Sequence, residues 1–417
     1  MNGWLTGYLA RIGFAAVLGV VGLRLASHYC DRVGIKLFWT YYIIRILSMY
    51  VLCVVAGQVP ADVVGWYMHA KWMAIDGVFP GKGFLTPYYL GMNFLFWLSV
   101  RCWDSPFSII AMFTFVEVVC VTLSFRMFRL YVGERDARRV SILYLTSPIV
   151  TMCSWFGAQD EPVILLAVVC VFCLLQTSRQ TWLFLFASFA GICFTKILTA
   201  FFLQPLYFSR KYKTVLLCFG GFLLYIVLSF LVGIDPFNLV FGRRLGLFAE
   251  GDDLILQKTI GNFWFIFSSV PNIIQTLIFF LVIGLLTALP FYRLFFSGDK
   301  SAETAIDISV AILVVWGLTF MVLYRMSFAT YLIPILPFVW CITLKGRLNG
   351  VFVLAWSWIV AIKDHLYFAR FRLPFDSGIA SWALISITII CVVCTCLLLI
   401  FAMRYLLKIA YGKVSDQ

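Results

Sequence analysis

The chain has 417 residues, 63% of them hydrophobic and only 12% charged, about half the charged share of a typical soluble domain. Apolar runs such as 214–232, 274–289 and 381–403 are too long and too numerous for a water-soluble core, which points to an all-α polytopic membrane protein. The net charge of +13 does not indicate nucleic acid, because the basic residues cluster in short gaps between apolar runs (Arg126/Arg129/Arg135/Arg138/Arg139, Arg210/Lys211/Lys213, Lys345/Arg347, Arg404/Lys408/Lys413) that alternate with acid-rich gaps. That alternation is the positive-inside pattern, with the basic gaps cytoplasmic and facing anionic lipid.

Thirteen cysteines lie mostly inside apolar runs, where they read as small hydrophobes. This includes Cys391 and Cys394 despite their CxxC spacing. His28, His69 and His365 are scattered and form no HExxH-type ligand motif.

In chain order, 5–25 reads as a first spanning or half-buried helix, since Arg11 and the lack of a small-residue cleavage site argue against a signal peptide. Further apolar segments fall at 37–57, 107–127, 140–156, 162–177, 181–195, 197–208, 214–233, 272–296, 308–324, 330–344, 349–363 and 379–402. Several are short enough to be re-entrant or broken, so the expectation is about 11–13 transmembrane helices. Arg11 and Glu117 are taken as the charges within spans. The chemically rich loops are the outer ones, 58–106 and 234–271 among them, and no repeat or soluble domain is evident, so 1–417 reads as one integral-membrane domain.

Between Pro60 and Gly77 the first outer loop predicts a helix of about four turns, Pro being favourable in a first turn and Gly followed by Pro80 a stop. Asp62, Trp66, His69 and Met73 share one stripe by their spacing, and Asp62 lies in the first turn, where the helix dipole favours a carboxylate. Trp66, Tyr67, Lys71 and Trp72 also suit a helix that merely anchors at the headgroups. Residues 88–103 predict a second interfacial helix, ended by Arg101 and Asp104. In Thr146-Ser-Pro, Pro148 interrupts one helix, and the chain then turns through a tight hairpin, Gly157-Ala-Gln-Asp-Glu161, whose acids at the membrane edge should face a polar cavity or a cation. Lys196, alone among apolar residues ahead of Pro205, either snorkels to the headgroups or receives an anion.

Together these stretches resemble the GT-C superfamily of integral-membrane glycosyltransferases, and within it glycosyltransferase family 87 and the catalytic subunit of GPI mannosyltransferase I. The resemblance rests on Asp62…Tyr67…Pro87-Tyr88, then Ser147-Pro148…Gly157-Ala-Gln159-Asp160, then Gly191…Lys196…Pro205, in order and spacing over roughly the first half of the chain. The second half adds Arg325…Tyr331-Leu-Ile-Pro334. The doubled acid that often marks the family's first loop is missing, since Asp62 is followed by Val63-Val64.

The resemblance implies an inverting transfer of mannose or another hexose from a polyprenyl-phosphate donor to a lipid-linked glycan or glycolipid acceptor. The transfer would take place on the extracytoplasmic face of a bacterial inner membrane or of the endoplasmic reticulum. Asp62 is the expected general base; His69, Tyr67, Tyr88, Gln159, Asp160 and Glu161 are expected at the substrates. Lys196, Arg325 and the Gly-flanked pair Arg243-Arg244 are the outer-face cations suited to a phosphate. No cofactor is required, although the acidic hairpin could take a divalent cation, and a small membrane partner subunit fits the family. A flippase, a secondary transporter or a polysaccharide polymerase is the competing class.

Overall fold

The computed structural model describes residues 2–32, 34–78, 90–176, 263–266, 270–296, 302–324, 327–370 and 378–411, with scattered helical residues between 216 and 231. The described residues form helices and no strand, as a membrane interior demands: every backbone N–H and C=O must be paired within its own segment. Five of these helices are long and apolar enough to cross a membrane: Gly7–Arg32, Lys36–Val55, Pro106–Val132, Ile306–Leu323 and Trp382–Ala410. A sixth span results if the bent pair Val150–Phe156 and Glu161–Cys173 is counted as one. The protein is an all-α polytopic membrane protein. The apolar segments expected at 181–195 and 197–208, and most of 214–233, lie outside the described residues.

Contacts divide the chain into two compact units, Met1–Cys30 with Arg135–Cys153 and Ala249–Gln417, and Asp31–Glu134 with Ser154–Phe248. The first unit holds α1 (Asn2–Arg24), α6 (Glu134–Leu145), α8 (Asn272–Phe296), α9 (Ala302–Leu323), α10 (Leu336–Lys345), α11 (Gly350–Arg370) and α12 (Gly378–Tyr411). Here α9 packs against α12 and α8, and α11 lies between α12 and α1. The buried Lys363–Asp364 pair, 3.1 Å apart, ties α11 to the segment before α10. Lys363 donates to the Ser327 carbonyl at 3.2 Å and Asp364 accepts from Ala329 N–H. Tyr331, of the Tyr-Leu-Ile-Pro element, packs its ring 5.5 Å from Phe320.

Two of the expected spans are broken: 140–156 at Pro148, as expected, and 330–344, which is corrected. Residues 140–156 are interrupted, because α6 ends at Leu145 and a separate π-helical turn begins at Val150. Pro148 has no N–H to donate and its ring crowds the carbonyl one turn back, while the Thr146 hydroxyl donates to the Ile142 carbonyl at 2.8 Å. Residues 330–344 are likewise a 3-10 turn, Ala329–Leu332, followed by α10, with Pro334 between them.

Gly22 shows how tightly this unit closes. A Cβ there would lie 1.8 Å from Thr146 Oγ1 and 2.4 Å from its Cβ, whereas one at Gly7 on the same helix meets nothing within 4 Å. A branched, stiff threonine cannot retreat. Gly22→Ala should therefore destabilise by about 1–3 kcal/mol, the usual cost of overpacking, even though alanine favours helix. Thermal unfolding in detergent checks this, with Gly7→Ala as the control that leaves the midpoint unchanged or raises it.

The second unit holds α2 (Ile35–Tyr50), α3 (Ala61–Ile75), α4 (Leu90–Cys102), α5 (Pro106–Val132) and α7 (Glu161–Gln176). α5 is its central element, touching α2, α3, α4 and α7. Its start is specified locally: Ser105 Oγ accepts from Phe107 N–H at 3.3 Å, and Pro106 occupies the first helical position. Its end is Gly133, at φ +85°.

Candidate functional site

α3 begins one residue after Pro60 and ends at Ile75, with Gly77 at φ +61° turning the chain away. Val63, Trp66 and Ala70 form its buried stripe. Trp66 stacks on Phe96 of α4, with centroids 5.4 Å apart and planes at 11°, and meets Phe113 of α5 edge-on at 5.3 Å. Trp66 is 4% exposed, so the indole that spacing groups with Asp62 and His69 is the buried anchor of the helix.

At about 100° per residue, that buried stripe divides the remaining polar residues between two flanks. Asp62 and His69 lie on one side, Tyr67 and Lys71 on the other. The Tyr67 hydroxyl donates to Asp104 Oδ1 at 2.6 Å, and Lys71 reaches Asp104 Oδ2 at 3.3 Å. The Tyr67 bond, with help from Lys71, holds the Asp104 carboxyl below its ordinary range. Lys71 is raised by its hydrogen bond with Tyr67 and then by that with Asp104, and partial burial with the bond to Asp104 raises the Tyr67 phenol. Tyr67 therefore joins α3 to the α4–α5 connection and does not accompany Asp62.

The exposed Asp62 meets the hairpin. Gln159 Nε2 donates to Asp62 Oδ2 at 2.7 Å and also lies 3.4 Å from the Gly157 carbonyl. Between them Ala158 has φ +49°, a left-handed conformation that costs a non-glycine residue roughly 1–2 kcal/mol and forms the sharp tip from which Gln159 reaches α3. Asp160 and Glu161 are buried, at 2% and 1% exposure. The Asp160 carbonyl accepts Val163 N–H at 3.0 Å and Glu161 stands in the first turn of α7, where the helix dipole favours carboxylates. Of the hairpin trio, Gln159 is the one whose side chain reaches the exposed carboxylate. Among the described residues no three His, Cys, Asp or Glu side chains converge as metal ligands would.

Contacts the sequence reading missed hold the hairpin from behind. Glu117 pairs with Arg45: Arg45 Nη1 lies 2.8 Å from Glu117 Oε2, and the two side chains are 2% and 0% exposed. Arg45 Nη2 also donates to the Ser154 carbonyl at 2.9 Å and to its Oγ at 3.0 Å, and Ser154 Oγ donates to Glu117 Oε2. Next in the π turn Val150–Phe156, Trp155 Nε1 donates to Ser48 Oγ at 2.9 Å while Tyr41 packs edge-on at 5.2 Å. On the other arm Cys120 Sγ donates to the Pro162 carbonyl at 3.2 Å. The sequence carried one signal for the pair: a lone acid and a lone arginine in neighbouring apolar segments must find each other.

His69 is half-buried, with its ring 5.5 Å from Trp72, and burial holds its imidazole below the ordinary value of 6.5. The unfolded chain therefore protonates first as pH falls. The stability this histidine contributes is complete above about pH 6.5 and is lost as pH drops from there through the lower folded value. The wild-type thermal midpoint should fall between about pH 7 and pH 5 by more than that of His69→Gln.

An exposed carboxylate with one oxygen held by an amide can accept a proton from an approaching hydroxyl, the amide fixing its direction. Of the other expected site residues, Tyr88, Lys196, Arg243, Arg244 and Arg325 lie outside the described residues. Comparison with known proteins adds no family: no protein-family model matches the chain, nor does any curated protein or solved structure.

Proposed function

We propose that the protein is a membrane glycosyltransferase of the GT-C kind that moves a hexose from a polyprenyl-phosphate donor to a lipid-linked acceptor on the extracytoplasmic face. The observation that carries this reading is the 2.7 Å bond between Gln159 and Asp62. It joins at one point two stretches, far apart in sequence, that each resemble a motif of that superfamily. In the proposed reaction the acceptor hydroxyl oxygen attacks the anomeric carbon, and the bond from that carbon to the phosphate oxygen breaks. The hydroxyl proton passes to Asp62, and polyprenyl phosphate departs with the electron pair, inverting the anomeric centre. The sugar carries oxocarbenium character at the transition state, so a base on one side and cations on the other are the groups required. Lys196, Arg243, Arg244 and Arg325 remain the candidates for the phosphate.

The pairing of Glu117 with Arg45 supports this reading over an ion-coupled transporter, because the acid expected alone in mid-span is already neutralised. Membranes containing the chain should move label from a radiolabelled polyprenyl-phosphate sugar into a new lipid-extractable glycolipid. A flippase would carry the donor across vesicles and leave its glycosidic bond intact.

A further inference from the structure

We propose that Arg45 is a positioning residue for the hairpin tip, acting through Ser154 to set where Gln159 meets Asp62. The inference rests on the reading of that meeting point as the site. Arg45 and Ser48, one turn apart on α2, hold Ser154 and Trp155. Glu117 and Cys120, one turn apart on α5, hold Ser154 and Pro162. The two arms are thus fixed immediately before and after residues 157–161, the segment that carries the strained Ala158 and the side chain that touches Asp62.

The chemistry suits placement better than it suits stability. A buried ion pair is often no more stabilising than apolar residues of the same volume, because both charges must first be desolvated. A guanidinium is also a planar fork, which orients several acceptors at once where an ammonium acts as a point charge. Arg45 uses that fork on a carboxylate, a backbone carbonyl and a hydroxyl. The carbonyl belongs to the last turn of a π helix, so it has no partner further along its own helix and is open to an outside donor. Pinning a main-chain atom fixes the path of the chain itself, which no side-chain contact on the tip would do.

The test uses the full chain in two variants. Arg45→Lys keeps the charge opposite Glu117 but lacks the fork. Arg45→Met with Glu117→Met removes both charges and keeps the volume. Asp62→Cys and Gln159→Cys are introduced into each and into the wild-type background, with the exposed Cys102 changed to Ser, and are bridged by a short bifunctional thiol reagent. Cross-linking should be efficient in the parent and several-fold weaker in both variants. In parallel variants keeping Asp62 and Gln159, kcat for sugar transfer should fall by up to about tenfold with KM for the donor nearly unchanged, the loss expected when the orienting amide is misplaced. Parental cross-linking in either folded variant overturns the proposal. The two readings fail separately: if the parent transfers no sugar the functional reading is lost, while cross-linking still decides whether Arg45 places the tip.

Discussion

Asp62→Asn is expected to insert and fold as the wild type does, to bind the donor nearly as before, and to transfer sugar at least about a hundredfold more slowly. The substitution keeps shape and hydrogen-bonding capacity and removes only the ability to take a proton. Asp62 is exposed in the first turn of α3, and that helix is anchored through Trp66 and its two phenylalanine neighbours, so the fold does not depend on the carboxylate. Gln159→Leu should cost less, about tenfold, because an orienting amide is not the proton acceptor. His69→Ala should also cost less than Asp62→Asn, since His69 shares the flank of Asp62 without replacing it. Single-turnover transfer with each variant, beside its donor affinity, separates these effects.

The largest expected effect on stability is at the buried pair. Glu117→Leu leaves the Arg45 side chain, 2% exposed, without its carboxylate, and breaking a buried pair on one side costs about 3–5 kcal/mol. Removing both charges, with Arg45→Met and Glu117→Met, should recover most of that loss because no uncompensated charge remains. Unfolding in detergent should therefore rank the single replacement well below both the wild type and the double. Equal losses in single and double would mean that packing of these side chains, not charge compensation, is what the fold requires.

Much of the fold was legible because long apolar runs and punctuation residues act locally. The segment expected at 272–296 is α8, Asn272–Phe296, and the interfacial helix expected after 88 is α4, Leu90–Cys102. Pro60 and Gly77 bracket α3 as their conformational preferences require. Pro148 marked the break within 140–156, but hydropathy alone could not show that 330–344 is broken, because averaging over a window hides a proline whose missing N–H ends a helix.

Within the site, spacing placed Asp62 and His69 on one flank, but it also grouped Trp66 with them. Only packing reveals that the buried stripe runs through Trp66, leaving Tyr67 on the far side with Asp104. The Arg45–Glu117 contact spans 72 residues, and no local periodicity encodes a partner at that distance. Asp160 and Glu161, expected at the substrates, stand buried where α7 begins, and no local pattern encodes that burial.

The central claim is that this is a sugar transferase whose base is Asp62, and one comparison addresses it most directly. Membranes bearing the wild type, Asp62→Asn, Asp160→Asn or Glu161→Gln are each supplied with a radiolabelled polyprenyl-phosphate sugar, and the lipid-extractable product is followed over time. The wild type should transfer label, and Asp62→Asn should be slower by at least about a hundredfold. The two hairpin variants, if folded, should keep most of the activity, since their side chains are buried where Asp62 is exposed. Wild-type rates in Asp62→Asn with loss in either hairpin variant would move the base to the hairpin. No transfer by the wild type, or wild-type rates in all three variants, would contradict the account.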